Sequence, residues 1–346
     1  MTPLPLVSII VLNYNGLRFL DECISSLSRL SYPKELYEII VVDNCSVDGS
    51  VEYLRTKYSW VKSVSLDKNY GFTGGNNKGA DFAKGDYIVF LNNDVAVEMN
   101  WLTELVEYSQ SHPNSMVTSK AFLLNNPRIL NHDGSKATLI GRGFCVNFCK
   151  PDIHDNAVPK YVVQPYGASM MLRRSLFYEI GKFDEDYFTS LEDLDIGLRM
   201  WLYGYEVVYI PSSVYYHYVG ASCGEGSKLS DTITYHVTKN SYLNIMKNFE
   251  LVHATQGIFL SLIYNACWSL WLVKKTRKLH AVRIIASAHV WVLRNFGTII
   301  YKRGIVSKNS KRSRNFLFQP SFFASIPEMI RTQLSLWNGN YLNDKR

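Results

Sequence analysis

The sequence predicts an α/β protein: a mainly parallel sheet flanked by helices, followed by a basic, amphipathic helical C-terminal region. Three observations carry this reading. Short apolar runs alternate with helix-like segments through the first half of the chain, the pattern of a nucleotide-binding half. The run Val89-Phe90-Leu91-Asn92-Asn93-Asp94-Val95 ends an apolar stretch in two carboxamides and a carboxylate, as a buried strand does where its carboxyl end meets a ligand. Charge is divided unevenly: from Leu251 onward fifteen Lys and Arg face only Glu328 and Asp344, a balance of +13, which leaves −6 for the first 250 residues within a total of +7.

Taken in order, Leu6 to Leu12 reads as a buried strand that ends in the polar turn Asn13-Tyr14-Asn15-Gly16 before a helix over Leu17 to Leu30. Glu38 to Val42 repeats the plan, with Asp43-Asn44 at its end and Asp48-Gly49-Ser50 starting a helix over Val51 to Tyr58. Strand ends of this kind line a ligand crevice in parallel sheets. Asp43 there accepts hydrogen bonds from a base imide or a ribose hydroxyl, or else serves as a turn or capping residue. A third strand, Lys62 to Leu66, precedes Asn69-Tyr70-Gly71-Phe72-Thr73-Gly74-Gly75-Asn76-Asn77-Lys78-Gly79. This stretch reads as a loop whose glycines let the backbone approach a ligand ahead of a helix N-terminus. It is not a Walker motif. Gly85 to Leu91 is the fourth strand, and Asn100 caps a helix over Trp101 to Ser111.

With 346 residues, 47% of them hydrophobic, the chain has material for one large domain and an appendage. Six cysteines at 23, 45, 145, 149, 223 and 267 form no CxxC pair, so reduced thiols in a cytosolic setting are expected, with Cys145 and Cys149 structural. The opening residues lack the basic and apolar regions of a secretory leader, and the main domain is expected on the cytoplasmic side. Basic charge gathered in the tail, away from the central cluster, argues against a nucleic-acid partner.

A second acidic cluster, Glu192-Asp193-Leu194-Asp195, opens a helix ending near Gly204, with Asp195 set to pair with Arg199. The ordered set VSIIVLNYNG, EIIVVDN, NYGFTGGNNKGA, GDYIVFLNNDV, YGASMMLRRSLFYEIGKFDEDYF, LEDLDIGLRMWLYGYEVVYIP and VYYHYVGAS resembles the family 2 inverting glycosyltransferases, rhamnosyltransferase-like members especially, over about Leu6 to Ser222. The resemblance implies a GT-A fold over residues 1–225, with 226–346 as a helical, membrane-associating region. It also implies a nucleoside diphosphate sugar donor, with dTDP- or UDP-sugars favoured and rhamnose among the sugars, and an Mg2+ or Mn2+ cofactor. Donor-nucleotide contacts are expected from Asn13, Tyr14, Asn15, Asp43, Asn69, Gly71, Asn76 and Asn93. In the family's DxD-like metal motif this chain has Asn92-Asn93-Asp94, so Asp94 alone brings charge, with Asn92 and His217 as further metal contacts. Asp193 maps to the general base, Glu192 to its neighbour that orients base or acceptor, and Gly167, Ala168, Ser169 and Trp201 to the sugar or acceptor region.

Asn125 to Val163, which includes Asn131-His132-Asp133-Gly134, is expected to supply a mobile loop over the site. Beyond the boundary Cys223-Gly224-Glu225-Gly226, Asp231 starts a helix towards Phe249. Gly257 to Val273 is an apolar run of seventeen positions, short of the about 20 that span a bilayer, and suits an in-plane or re-entrant helix as well. Ile284, Ile285, Ala288, Trp291, Val292, Phe296, Ile299 and Ile300 recur at helical spacing; the basic cluster Lys308 to Arg314 and Trp268, Trp271 and Trp291 suit an anionic membrane surface. The expected location is the cytoplasmic face of a membrane, peripheral or tethered by a C-terminal helix, with a glycan or lipid-linked acceptor. Two rival readings remain: a nucleotidyltransferase, for which the first turn lacks a cation, and a non-catalytic sugar-nucleotide binder, suggested by Asn92.

Overall fold

The computed structural model describes residues 3–152, 158–218, 231–276 and 279–331. The first half runs β1 (Val7–Asn13), α1 (Leu17–Leu27), β2 (Tyr37–Asp43), α2 (Ser50–Lys57), β3 (Lys62–Ser65), α3 (Gly71–Ala80), β4 (Tyr87–Asn92), β5 (Val95–Val97) and α4 (Trp101–Ser111). It continues through β6 (Ser115–Leu123), β7 (Asn126–His132), β8 (Ser135–Ala137), β9 (Gly143–Cys145), β10 (Lys160–Tyr161), β11 (Ser169–Arg173), α5 (Arg174–Glu179), α6 (Glu192–Leu202) and β12 (Glu206–His217). Four helices follow: α7 (Asp231–Asn248), α8 (Leu251–Thr276), α9 (His280–Arg294) and α10 (Phe296–Asn309).

The main sheet has the order β10-β12-β6-β11-β4-β1-β2-β3, with β5 beside β12 and β7 beside β6. Strands β4, β1, β2 and β3 are parallel; β11 is antiparallel to both β4 and β6. The pleat sorts β1 between two cores: Val7, Ile9 and Val11 face α1 and α4, while Ile10 faces the opposite layer with Phe90 and Met170. Because β1 leads to β2 on one side and has β4 on the other, the strand order reverses between β1 and β4. Ligands of open α/β sheets bind at the carboxyl ends of strands at such a reversal.

Several expectations change on contact with the structure. The glycine-rich stretch after β3 is helix α3 rather than a loop. A Cβ on Gly75 would lie 2.5 Å from Leu12 Cδ1, and one on Gly79 2.7 Å from Ile10 Cγ2, so these glycines let the helix lie close on the sheet. The interval after Asn125 is anchored by short strands, with β7 paired to β6, β8 to β9 and β10 to β12; residues 153–157 lie outside the description. Asn100 precedes α4 as expected, yet its side chain makes no capping hydrogen bond. The proposed boundary at Cys223 to Gly226 and the end of the VYYHYVGAS motif lie outside the described residues, as does Cys223; Cys23, Cys45, Cys145 and Cys267 are free thiols.

The C-terminal helices are packed onto the sheet unit. Every residue of α7 from Thr238 to Asn248 is buried, although Lys239, Asn240, Ser241, Asn244, Lys247 and Asn248 are polar. Such a helix is stable only if each polar group finds a partner. Lys247 Nζ lies between Asp184 Oδ2 (2.5 Å) and Asp195 Oδ1 (2.9 Å), Asn248 Nδ2 donates to Asp195 Oδ1 (3.0 Å), and Asn244 Nδ2 donates to Gly141 O (3.0 Å). The expected Asp195–Arg199 pair is present at 2.8 Å. Part of the tail's positive charge is used internally: Lys302 reaches Asp184 and Asp186, Arg312 lies over Trp201 and donates to the carbonyls of Gly204 and Tyr205, and Arg314 donates to Lys247 O.

Helix α8 is the one helix among the described residues long and apolar enough to cross a membrane by length and composition. Its middle is fastened to the sheet unit. A Cβ on Gly257 would meet Leu139 O at 2.4 Å, Arg142 stacks on Tyr264 at 4.4 Å, and Asn265 Nδ2 donates to Tyr242 OH at 3.2 Å. Its other face leaves Phe259, Leu262, Ile263 and Leu270 exposed, and Leu293, Phe296, Ile300 and Ile305 of α9 and α10 are exposed too. The helical apolar periodicity after Ile284 thus divides: Ile285, Ala288, Val292 and Ile299 pack inward, whereas Phe296 and Ile300 face out.

Candidate functional site

The reversal between β1 and β4 is bridged by side chains. Asn93, just past β4, donates from Nδ2 to Asn13 Oδ1 at 2.6 Å, and Asn13 Nδ2 donates to Asp43 Oδ1 at 2.9 Å, so one chain of bonds joins the ends of β4, β1 and β2. Asp43 is 1% exposed and its Oδ2 accepts from Ser46 N at 2.9 Å. Ser46 Oγ in turn accepts from Asn15 N at 2.8 Å, and Asn15 Oδ1 accepts from Val47 N at 2.9 Å. The carboxylate expected at a base or ribose therefore organises two facing loops. Tyr14 is exposed at the rim. Gly16 leaves room for this bridge: a Cβ there would fall 1.9 Å from Asn93 Nδ2.

Beside this, Asn44 Nδ2 donates to Asn69 Oδ1 (2.9 Å) and Gly71 O (3.0 Å), while Asn69 Oδ1 accepts from Gly71 N (2.8 Å). Gly71 has φ +69° and would collide with Phe188 O if it carried a Cβ. Asn76 is buried within α3, its Nδ2 donating to Phe72 O at 3.0 Å and its Oδ1 without a partner. These residues brace the strand ends; Asn44 and Ser46 join them in the same work.

Asp94 and His217 meet across β5 and β12. Asp94 Oδ1 and His217 Nε2 are 3.2 Å apart, and Asp94 Oδ1 is buried without a hydrogen-bond partner. The opposite ring nitrogen, Nδ1, bonds Asn131 Oδ1 at 2.9 Å. A carbonyl oxygen can only accept, so Nδ1 donates to it and the ring is held with Nε2 towards Asp94. Asp94 Oδ1, which has no hydrogen-bond partner, and the neighbouring His217 Nε2 would suit a divalent cation as ligands. Among the described residues no group of three or more His, Cys, Asp or Glu gathers as a metal cage. The two-residue set fits a cation whose remaining ligands are diphosphate oxygens and water. Asn92, half-buried at the end of β4, donates its backbone N–H to Ala168 O at 3.1 Å.

Glu192 and Asp193 open α6 behind an irregular approach in which Phe188, Ser190 and Leu191 have φ of 62°, 69° and 65°. Left-handed backbone at three residues with side chains is unusual and is often associated with functional sites. Gly167 adjoins both carboxylates: a Cβ there would lie 3.7 Å from Glu192 Oε1 and 3.8 Å from Asp193 Oδ2. Burial and the adjacent Asp193 charge push the Glu192 carboxyl up to about 8. Burial raises Asp193 to about 6, with the N–H groups of Leu194 and Gly167 pulling the other way. Glu192 Oε2 has no hydrogen-bond partner. Ala168 and Ser169 are buried at the start of β11. Trp201 departs from the expected sugar region: it is 3% exposed, packs on Phe316 and Phe322 and donates to Val162 O, because α6 turns this face to the core.

The sequence reading missed Asn131, Ser46 and the residues of α7. Asn131 stood in a polar quartet, Asn131-His132-Asp133-Gly134, between apolar runs, which was a usable signal. Nothing local distinguishes Asn240 or Lys247.

Comparison with known proteins places this geometry. A family profile described as glycosyl transferase family 2 matches residues 8–181, half of the chain, and one described as glycosyl transferase family group 2 matches residues 134–229. Glycosyltransferase AglE of Haloferax volcanii is 33% identical over 102 residues, 29% of this chain and 34% of that protein. Rhamnosyltransferase WbbL of Escherichia coli (strain K12) is 27% identical over 206 residues, 56% of this chain and 76% of that protein. A crystal structure of GalNAc-T7 with UDP, GalNAc and Mn2+ superposes with a TM-score of 0.58 at 18% identity, over 71% of this chain and 48% of that one. The chain spans between 19% and 34% of the length of the first three curated relatives.

Proposed function

This chain belongs to glycosyl transferase family 2, and from that premise we propose that it is a metal-assisted inverting transferase. It moves a sugar from a nucleoside diphosphate donor to a hydroxyl of a glycan or lipid-linked acceptor. The observation that carries the proposal is the pair Glu192 and Asp193, two adjoining carboxyls with unequal proton affinities beside the side-chain-free Gly167. Divergent environments of this kind separate acid from base roles.

With its proton affinity near 6, Asp193 is ionised at neutral pH and still basic enough to take a proton as a hydroxyl attacks. The acceptor oxygen bonds to the anomeric carbon, its proton passes to Asp193, and the bond from that carbon to the diphosphate oxygen breaks. The nucleoside diphosphate leaves with the electron pair, and one displacement inverts the centre. Glu192, protonated at neutral pH, donates a hydrogen bond to the acceptor or sugar through Oε2. Asp94 and His217 would hold the cation, Mg2+ or Mn2+, with Asn131 orienting the imidazole. When bound, the cation stabilises negative charge on the leaving diphosphate. Asn13, Asn93 and the Asp43–Ser46 loop shape the nucleotide pocket.

The likeness to rhamnosyltransferase WbbL favours a deoxysugar donor such as dTDP-rhamnose, and the UDP bound to GalNAc-T7 keeps uridine donors in the panel. The exposed apolar face of α8 to α10 supports peripheral docking on a membrane. With α8 fastened from Gly257 to Asn265, it lies along the surface with its outer side in the lipid.

The test is a panel of UDP-, dTDP- and GDP-sugars with Mn2+, Mg2+ or chelator, read by thermal shift and donor hydrolysis. Metal-dependent stabilisation and turnover by one donor support the proposal. In Asp193→Asn, turnover should drop by about 10³-fold while nucleotide binding persists; full turnover in that variant would remove the base assignment.

A further inference from the structure

We propose that Asn240 of α7 is a positioning residue for the catalytic carboxylates, fixing the backbone that leads into α6; this rests on the transferase reading above. Asn240 is fully buried, and its Nδ2 lies 3.0 Å from Tyr187 O, 2.9 Å from Thr189 O and 2.6 Å from Ser190 O. One amide group thus gathers three carbonyls within a four-residue stretch of main chain, its two N–H groups shared among them. Only the NH2 side can face three carbonyl oxygens, which fixes the orientation of the amide.

The gathered segment is the one with left-handed backbone at Phe188, Ser190 and Leu191. Such conformations persist where neighbours over-determine them. From the other side, Thr73 N in the first turn of α3 donates to Phe188 O at 3.2 Å, and Gly71 makes room for that carbonyl. Leu191 then receives the first helical bond of α6, from Asp195 N at 3.2 Å. The direction in which Glu192 and Asp193 leave the backbone is therefore set by a loop clasped between α3, which braces the strand ends of the donor pocket, and α7, which belongs to the C-terminal helices. Lys239, one residue earlier on α7, adds a bond to Asp186 O.

The experiment uses the full chain with Asn240→Asp, which keeps the shape and removes every N–H, and Asn240→Leu as an apolar variant of similar size. Both are assayed by hydrolysis of whichever donor the wild type turns over, and by UDP affinity with Mn2+. The expected result is a kcat at least tenfold lower, donor KM and UDP affinity within twofold of wild type, and a displaced acid limb of the kcat–pH profile. Amide hydrogen exchange should be at least tenfold faster over residues 188–194 and unchanged in β1 and β4. Wild-type kcat and pH profile in both variants, or unchanged exchange over 188–194, would overturn the proposal. If the wild type itself turns over no donor, the transferase reading falls, and the exchange result alone decides whether Asn240 holds the loop.

Discussion

Nε2 of His217 and Oδ1 of Asp94 stand 3.2 Å apart, and Asn131 holds the far side of the imidazole at 2.9 Å. The carboxylate is favoured there by a positive charge, whether a proton on the imidazole or a bound cation. In the proposed transferase this pair would hold the cation.

Asp94→Asn and His217→Ala should each abolish the chelator-sensitive part of nucleotide stabilisation. Asn131→Leu, which frees the imidazole to rotate, should weaken Mn2+ by about 10- to 100-fold. Electron paramagnetic resonance titration of Mn2+ reads this without turnover. Equal Mn2+ affinity in all three variants would remove the site.

The two acidic residues at the start of α6 should give opposite pH signatures. Turnover should fall as pH drops through about 6, where Asp193 takes up a proton. Glu192 has a folded-state value near 8 against a usual 4.5, so the folded state binds its proton more tightly than the unfolded chain does. Its contribution to stability is full below about 4.5 and is lost as pH rises through 8. Glu192→Gln should therefore match wild type near pH 5 and be more stable at pH 9, by on the order of a few kcal/mol. Thermal unfolding at the two pH values tests the sign.

Gly16→Ala should destabilise the protein by about 1–3 kcal/mol and lower nucleotide affinity, because a Cβ 1.9 Å from Asn93 Nδ2 forces apart the Asn93–Asn13 bond. Denaturant unfolding and UDP titration measure both. An unchanged UDP affinity would separate this bridge from the nucleotide pocket.

Serine at Phe259, Leu262 and Ile300 together should reduce flotation with anionic vesicles by at least about tenfold, leaving Mn2+-UDP stabilisation intact. A wild-type chain that ignores vesicles at low salt would end the membrane reading.

Much of the fold was legible because local pattern and tertiary environment agree. The apolar runs of β1, β2 and β4 are buried strands, α4 occupies the residues its periodicity predicts, and Asp195 pairs with Arg199 as their spacing requires. Helix α3 was illegible because six glycine and asparagine residues in ten oppose helix formation, and the close approach to Leu12 and Ile10 explains Gly75 and Gly79. Trp201 was misread because an aromatic near an acidic motif looks the same in sequence whether it faces a sugar or Phe322. Asn240 and Lys247 were invisible for a related reason: their partners lie 50 to 63 positions earlier, and a polar helix gives no sign of being buried.

Lys247 brings the counter-charge to Asp184 and Asp195, which lie more than fifty residues nearer the start of the chain. A ribosome therefore finishes β1 to β4 well before the lysine that bridges the two buried carboxylates has been made, and domains tend to fold as they emerge. A nascent chain, or one cut short before α7, would keep Arg199 beside Asp195 but lack both lysines that pair with the buried Asp184. Synthesis itself would then delay activity until the C-terminal helices are in place, and truncated products would be left without a competent centre.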